Sequence, residues 1–173
     1  METSKQNKKT TFAAQGGDET MDVTYRDYKE SDFGDFSDMV FRLYAEDPEG
    51  LPISVTKIMA TVRECRTRPE KLRIIMICAG EAVIGYSILV YFWSNEYGGD
   101  ILHIDELFIR EAYRGRGIAS DFIKNHIGSN ENIAAVAVET TPSNAAAKKL
   151  YNNLGFGSSM NDHLTLHLRD QTP

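Results

Sequence analysis

The spacing of apolar positions changes near residue 21 of the chain. Residues 1–20 are polar, contain glycine and show no periodicity, so we expect a flexible tail or an extended start there. From residue 21 onward apolar positions recur at regular spacing. This pattern predicts a single domain over residues 21–173.

The first half of this domain alternates between strand and helix spacing. Apolar residues between 33 and 44 fall three and four positions apart after a cap at Ser31 or Asp32, which indicates a helix. Two apolar runs rich in β-branched residues are separated by Gly80-Glu81, which indicates a hairpin. The predicted elements are a strand over 23–28, helices over 33–45 and 54–68, and strands over 73–79 and 82–93.

The second half continues with alternating strands and helices. The predicted elements are a strand over 101–109, a helix over 117–127, a strand over 133–139, a helix from Ser143 or Asn144 to Leu154, and a last strand over 164–168. The whole order is β-α-α-β-β-β-α-β-α-β. It predicts an α/β fold in which a mixed, mostly antiparallel sheet is flanked by helices.

Composition excludes several function classes. The net charge of −6 and the pI near 5.2 argue against a protein that binds nucleic acid through its phosphates. No apolar run is long enough for a transmembrane helix, and no apolar stretch follows the basic residues near the N-terminus, so we expect a cytoplasmic protein that binds no membrane. The four histidines and two cysteines show no ligand spacing, so we expect no metal site.

The stretch with the clearest chemistry follows the strand that ends at Ile109. A short loop there leads into a helix whose start contains Gly115, Gly117 and Ala119. Amide groups at a helix start lack internal partners and attract anions, and glycine lets a phosphate approach the backbone. Arg114 and Arg116 would supply positive charge. Taken alone, the glycine pair would favour an ordinary turn between a strand and a helix.

Two motifs make this chain resemble one known family. Residues 114–119, Arg-Gly-Arg-Gly-Ile-Ala, match the [QR]xxGx[GA] signature of GNAT acetyltransferases. The second is the segment from Asn144 through Tyr151 to Gly155-Phe156, which is similar to the family's helix ending in Tyr-x-x-x-Gly-Phe. Both motifs stand in the family's order with one strand between them. The resemblance covers nearly all of the chain after the tail.

The resemblance implies acetyl-CoA as the acetyl donor. The family holds the coenzyme's pyrophosphate on the backbone amides of the signature loop, and its fourth strand binds the pantetheine arm through the main chain. Carried over to this sequence, the implied coenzyme-binding residues are Leu107, Phe108, Ile109, Arg114, Gly115, Arg116, Gly117, Ile118, Ala119, Ser120, Asn144 and Tyr151.

Three residues are candidates for catalysis. In the family, a tyrosine at the place of Tyr151 protonates the departing thiolate, and we favour this role here over a core or purely binding role. Asp105 and Glu106 are candidates for accepting the amine's proton. Because neighbouring residues of a strand point to opposite faces, we expect only one of the two acids to face the substrate, and we favour Glu106.

The acceptor is less well defined than the donor. The aromatic segment over 85–97 is similar to family members that acetylate small amines, including diamines and polyamines, but it is also typical of core packing. Acidic residues at 46, 47, 49 and 96 could attract a cation. We expect acetyl transfer to the primary amine of a small molecule. A protein or peptide amine and a non-catalytic acyl-CoA sensor are the alternatives, and the resemblance also implies a homodimer.

Overall fold

The computed structural model describes residues 9–13, 20–49, 51–128, 132–159 and 164–168. Its strands are β1 (Thr10–Ala13), β2 (Thr20–Asp27), β3 (Leu72–Ala79), β4 (Ala82–Ser94), β5 (Gly99–Ile109) and β6 (Ile133–Val138). Its helices are α1 (Phe33–Glu46), α2 (Val55–Thr67), α3 (Ile118–Asp121, continued as a π-helix over Phe122–Ile127) and α4 (Ala145–Asn153). In these ranges, no helix combines the length and the apolar character needed to cross a membrane.

The six strands form one sheet in the order β1-β2-β3-β4-β5-β6. Each strand runs antiparallel to its neighbours except β5 and β6, which are parallel. The parallel pair is joined through α3, as a crossover between parallel strands requires. The predicted α/β class, a mixed sheet flanked by helices, is therefore confirmed.

A separate apolar core lies on each face of the sheet. Helices α1 and α2 pack on one face through residues such as Phe36 and Ile58, against Met76 of β3. Helices α3 and α4 pack on the other face, where Phe122 and Tyr151 join the core. The strands in the middle are buried on both sides, which explains why β3 reads as a continuous apolar run.

A bulge in β5 changes which side chains face which core. Ile88 of β4 pairs with Glu106, but the next residue, Leu89, pairs with Ile104, so Asp105 is an extra residue in β5. Ile104 therefore packs on the α3/α4 face, whereas Phe108, four residues later, packs on the α1/α2 face. Without the bulge, both would lie on the same face.

The sheet splits where β5 passes the bulge. The pairing between β5 and β6 ends at Ile104 and Val138, whereas β4 stays paired with β5 up to Ile109. The last part of β5, residues 105–109, therefore has one edge that is not paired with β6. This split positions the candidate site described below.

The two ends of the chain differ from the sequence prediction. Strand β1 lies within residues 1–20, the predicted tail, and pairs with β2; residues 1–8 and 14–19 are outside the described residues. The predicted last strand over 164–168 is wrong, because these residues form no strand. Leu164, Leu166 and Leu168 are 83–89% exposed, so the alternating pattern has no partner strand or core to bury it in the part of the chain described.

Deleting residues 1–13 is expected to lower the melting temperature by about 2–8 °C, because the partly buried Phe12 packs on the α3/α4 core. Coenzyme binding should persist, since β1 lies at the opposite edge of the sheet from the split. Thermal unfolding with and without acetyl-CoA measures both effects. Full-length Phe12→Ala should reproduce most of the loss. An unchanged melting temperature in the deletion variant would show that β1 adds no stability.

Candidate functional site

Two cavities meet at the split in the sheet. The first, about 440 Å³, is named the acidic cavity because Asp47, Asp105, Glu106 and Glu139 line it. The second, about 620 Å³, is named the glycine cleft because Gly115 and Gly117 line it. Five residues border both cavities: Leu43, Leu107, Asn144, Ala147 and Tyr151. All the sequence-predicted site residues except Arg116, which lines neither cavity, therefore lie in two adjoining spaces.

The glycine cleft has the open backbone that the sequence predicted for a phosphate-binding loop. Gly115 and Gly117 have positive φ values of 75° and 82°, which favour glycine. A Cβ at either position would meet no heavy atom within 4 Å, so the space above the loop is open. A phosphate-sized group can approach the backbone here.

The helix start beside these glycines offers free amide groups. The first intrahelical bond of α3 runs from the Asp121 amide to the Gly117 carbonyl, at 2.9 Å. The amides of Ile118, Ala119 and Ser120 precede that bond, so they have no partner within the helix. Together with the open glycines, they fit the diphosphate of coenzyme A.

The two loop arginines are already engaged. Arg114 donates to the Ile109 carbonyl at 2.7 Å and forms an ion pair with Glu46 at 2.8 Å. Arg116 donates to the Ala112 carbonyl at 2.7 Å. The two bonds to the carbonyl groups of Ile109 and Ala112 hold the arginine side chains against the backbone of the loop. Direct contact between either arginine and a phosphate stays a prediction, and the loop amides are the better placed donors.

Glu106, in the acidic cavity, accepts a hydrogen bond on each of its carboxylate oxygens. Tyr86 of β4 donates to its Oε2 at 2.6 Å, and Tyr44 of α1 donates to its Oε1 at 3.0 Å. Burial raises the pKa of the Glu106 carboxyl above its usual range, while the two hydrogen bonds oppose that rise. A carboxyl with a raised pKa is a stronger base than a free glutamate.

Asp105 lines the same cavity as Glu106, which contradicts the expectation that only one of the two acids could do so. The bulge is the physical reason, because an extra residue breaks the alternation of side chains along β5. The two acids still differ in environment: Asp105 is exposed, and Glu106 is half-buried.

Tyr151 lies where the two cavities join. It is 8% exposed, and its ring contacts Phe156 edge-on at 5.3 Å between ring centres. Among the described residues, no protein group is hydrogen-bonded to its hydroxyl. Burial raises the pKa of Tyr151 to about 12, so the phenol keeps its proton at neutral pH. The residue is thus both a core side chain and a protonated phenol in the wall of both cavities.

Asn144 and Asp47 connect α1 to the start of α4. Asn144 caps α4 by accepting a bond from the Ala147 amide at 3.0 Å. Its amide group donates to Asp47 Oδ2 at 3.1 Å, and Thr141 donates to the same oxygen at 2.9 Å. The other oxygen of Asp47 is buried and has no partner among the described groups. A coenzyme contact of Asn144 stays a prediction.

Sequence reasoning missed Tyr44 and Tyr86 as site residues. Tyr44 appeared only as an apolar position of a helix, and Tyr86 as part of the aromatic segment. Glu106 is 62 residues from Tyr44 and 20 from Tyr86, so no local pattern indicates these contacts. The remainder of the aromatic segment lies elsewhere. Phe92, Trp93 and Tyr97 are exposed and line neither cavity.

No group of three or more His, Cys, Asp or Glu side chains is arranged to hold a metal ion within the ranges that the structure describes. The four carboxylates of the acidic cavity therefore do not form such a group. They make the cavity negative without forming a chelating cluster.

Comparison with solved structures shows the fold. A possible acetyltransferase from Clostridium difficile 630 gives a TM-score of 0.69 at 20% identity, covering 84% of this chain and 99% of that one. Aminoglycoside N-acetyltransferase AAC(6')-Iy in complex with CoA gives 0.68 at 17% identity, covering 88% and 98%. Aminoglycoside acetyltransferase meta-AAC0020 from an uncultured soil metagenomic sample, in complex with sisomicin, gives 0.64 at 11% identity, covering 85% and 97%.

Comparison by sequence identifies the family. No curated protein matches the chain. The model of the Acetyltransferase (GNAT) family matches residues 26–156, a range that contains the glycine loop, both strand acids and Tyr151. Since this range spans most of the chain, the protein belongs to the GNAT acetyltransferase family.

Proposed function

We propose that this protein is an N-acetyltransferase that transfers acetyl from acetyl-CoA to the primary amine of a small molecule. The position of Tyr151 carries the proposal. This residue borders both the glycine cleft, which fits a diphosphate, and the acidic cavity, which fits an amine. A thioester at the junction would lie within reach of groups from both cavities, so direct attack in a ternary complex is the mechanism we favour.

Two features of the structure would bind acetyl-CoA: the glycine loop and the free edge of β5. The amides of 118–120 would hold the diphosphate, and the free edge of β5 at Leu107, Phe108 and Ile109 would pair with the amides of the pantetheine arm. An extended chain adds to a free strand edge through its main-chain groups. The family's coenzyme supplies an activated acetyl thioester. The residues described here would orient it.

The chemistry needs one proton acceptor and one proton donor. As the amine nitrogen bonds to the acetyl carbon, the carbon–sulfur bond breaks. Glu106, directly or through water, takes the proton that the amine loses. Tyr151 gives a proton, or a strong hydrogen bond, to the departing sulfur. Tyr151 belongs to the core on the α3/α4 face, and Glu106 is bonded to Tyr86 of the core on the other face, yet both residues line the acidic cavity.

The acidic cavity favours a cationic acceptor. Its described lining holds four carboxylates and no Lys, Arg or His side chain. A primary amine is a cation in water, so this field concentrates it. Two structural neighbours are aminoglycoside acetyltransferases, one of them in complex with sisomicin, and another is a ribosomal-protein-alanine N-acetyltransferase from Brucella melitensis. We favour small amines with more than one charge, diamines and polyamines included, over a protein acceptor.

The test is an assay of free thiol released from acetyl-CoA with polyamines, aminoglycosides, amino acids and a peptide with a free N-terminus. We expect turnover with a multiply charged small amine. Turnover with the peptide alone would favour the protein acceptor. Acetyl-CoA binding without turnover on any amine would favour the sensor.

Gly117→Glu is expected to abolish acetyl-CoA binding, because it puts a carboxylate where the diphosphate would lie. Calorimetric titration measures the loss. Gly80→Glu is the matched control, since Gly80 also has a positive φ and open space above it but lies in the turn between β3 and β4. Gly80→Glu should bind normally. Undiminished binding by Gly117→Glu would show that the loop is not part of the coenzyme site.

A further inference from the structure

Glu106 is held by two phenols from two different elements. Tyr86 comes from the neighbouring strand, and Tyr44 comes from α1, on the helical layer that covers that face of the sheet. Each phenol donates to a different carboxylate oxygen, at 2.6 Å and 3.0 Å. Because each carboxylate oxygen can accept more than one bond, Glu106 can still receive a proton from a third group.

The other groups around Glu106 do not favour its charged form. Asp105 on the same strand repels it, and Asp47, just after α1, and Glu139, just after β6, are further acids that line the same cavity. Within the described lining of the acidic cavity there is no Lys, Arg or His side chain to offset these charges. The two phenols are therefore the groups that stabilise a charged Glu106 before a cationic amine arrives.

The two tyrosines differ in their freedom to move. Tyr86 is fully buried, edge-on to Phe36 at 5.0 Å between ring centres and stacked on Phe108 at 6.1 Å. Tyr44 is half-buried and lines the acidic cavity itself. Tyr86 thus fixes the direction of the carboxylate, and Tyr44 is the partner that an incoming amine can reach.

We propose that Tyr44 and Tyr86 are positioning residues that keep Glu106 charged and aimed into the acidic cavity. The proposal rests on the proposed function of Glu106 as the proton acceptor. It assigns to the tyrosines a role that neither their burial nor their ring contacts require. If they served only to fill space, phenylalanine would replace them without changing the titration of Glu106.

The experiment compares Tyr44→Phe, Tyr86→Phe and Tyr28→Phe by the pH dependence of kcat/KM with one acceptor amine. Removing a hydrogen bond to the charged form raises the pKa of Glu106. The acid limb should therefore move to higher pH by about one pH unit in each of the first two variants. Tyr28→Phe is the matched control. The Tyr28 hydroxyl is buried without a partner among the described groups, and its ring packs on Phe36 in the same core. Its acid limb should not move.

A second measurement separates this proposal from the proposed function. Infrared difference spectra, with Glu106→Gln as the reference, follow the protonation of the Glu106 carboxyl whether or not any amine is acetylated. A higher titration midpoint in Tyr44→Phe and Tyr86→Phe supports the positioning role even if no acceptor is found. Unchanged midpoints in both variants, with the fold intact by circular dichroism, would overturn it.

Discussion

Tyr151→Phe is expected to lower kcat by about 10²–10⁴-fold while coenzyme affinity stays nearly unchanged. The substitution keeps the ring, its burial and its contact with Phe156, and it removes only the hydroxyl of a residue that lines both cavities. If the residue were only part of the core, the same change would cost little, because the packed volume is preserved. Activity therefore distinguishes the two interpretations that the sequence left open.

The raised pKa of Tyr151 affects how readily its hydroxyl can give a proton to the departing thiolate. A phenol with a pKa of about 12 is a weaker acid than a free cysteine thiol, whose pKa is about 8.5. The departing thiolate would lie in the same buried junction, however, where burial raises the pKa of the thiol as well. Tyr151 can therefore stabilise the developing charge first through a hydrogen bond and then through proton transfer.

Steady-state kinetics and calorimetric titration with acetyl-CoA check this prediction. Tyr113→Phe is the matched control, since Tyr113 lines the glycine cleft but not the acidic cavity. Its kcat should stay close to that of the unaltered protein. Nearly full activity of the Tyr151→Phe enzyme would show that another group or water protonates the departing thiolate.

Local patterns predicted most of the fold. The helix predicted to begin near residue 54 is α2, and Ser54 caps it by accepting a bond from the Lys57 amide. Asp32 also stands at a predicted helix start, but its carboxylate instead binds Arg26 and the Lys29 amide. The chain ends were predicted least well. A strand pattern such as that over 164–168 is realised only where a partner strand is available, and that is a tertiary property.

The candidate site was predicted where its signals are local. The glycine spacing and the helix that carries Tyr151 were recognisable because each lies within one short segment, and the fold places both in the wall of the glycine cleft. The shared cavity of Asp105 and Glu106 could not be predicted, since nothing in the sequence marks the bulge that breaks their alternation. The bonds from Tyr44 and Tyr86 join distant elements, and only the folded sheet brings them to Glu106.

Under the proposed function, the split between β5 and β6 gives the two substrates a common space. Parallel pairing ends at Ile104, so the free edge of β5 and the side chains after the bulge open into one space. Glu106 reaches that space from the α1/α2 face and Tyr151 from the α3/α4 face. A continuous sheet would keep the two residues in separate layers.

Glu106→Gln is expected to lower kcat/KM by about 10²–10⁴-fold at neutral pH, the span typical of losing a general base. Glutamine keeps the size of the side chain but cannot accept a proton there. Because burial raises the pKa of Glu106, the unaltered enzyme should lose activity as pH falls through that raised pKa, at higher pH than a free glutamate would titrate. The variant should lack this acid limb.

The size of the effect should therefore depend on pH in a defined way. Below the pKa of Glu106 both enzymes lack a base, so the ratio of their activities should shrink. The ratio should also shrink at high pH, because the acceptor amine is already neutral in solution there and depends less on a general base. The largest ratio is expected between these limits, and pH profiles of kcat/KM with a single amine would show it.

Asp105→Asn is the control for this prediction, because Asp105 lines the same cavity but is exposed and lies at the bulge. Removing its charge should weaken attraction of a cationic amine and raise KM, with a smaller effect on kcat than Glu106→Gln. The opposite ranking would assign the proton acceptor to Asp105. Small and equal effects of both substitutions would show that the acceptor is not on β5, and the amine would then lose its proton to water or to another wall of the cavity.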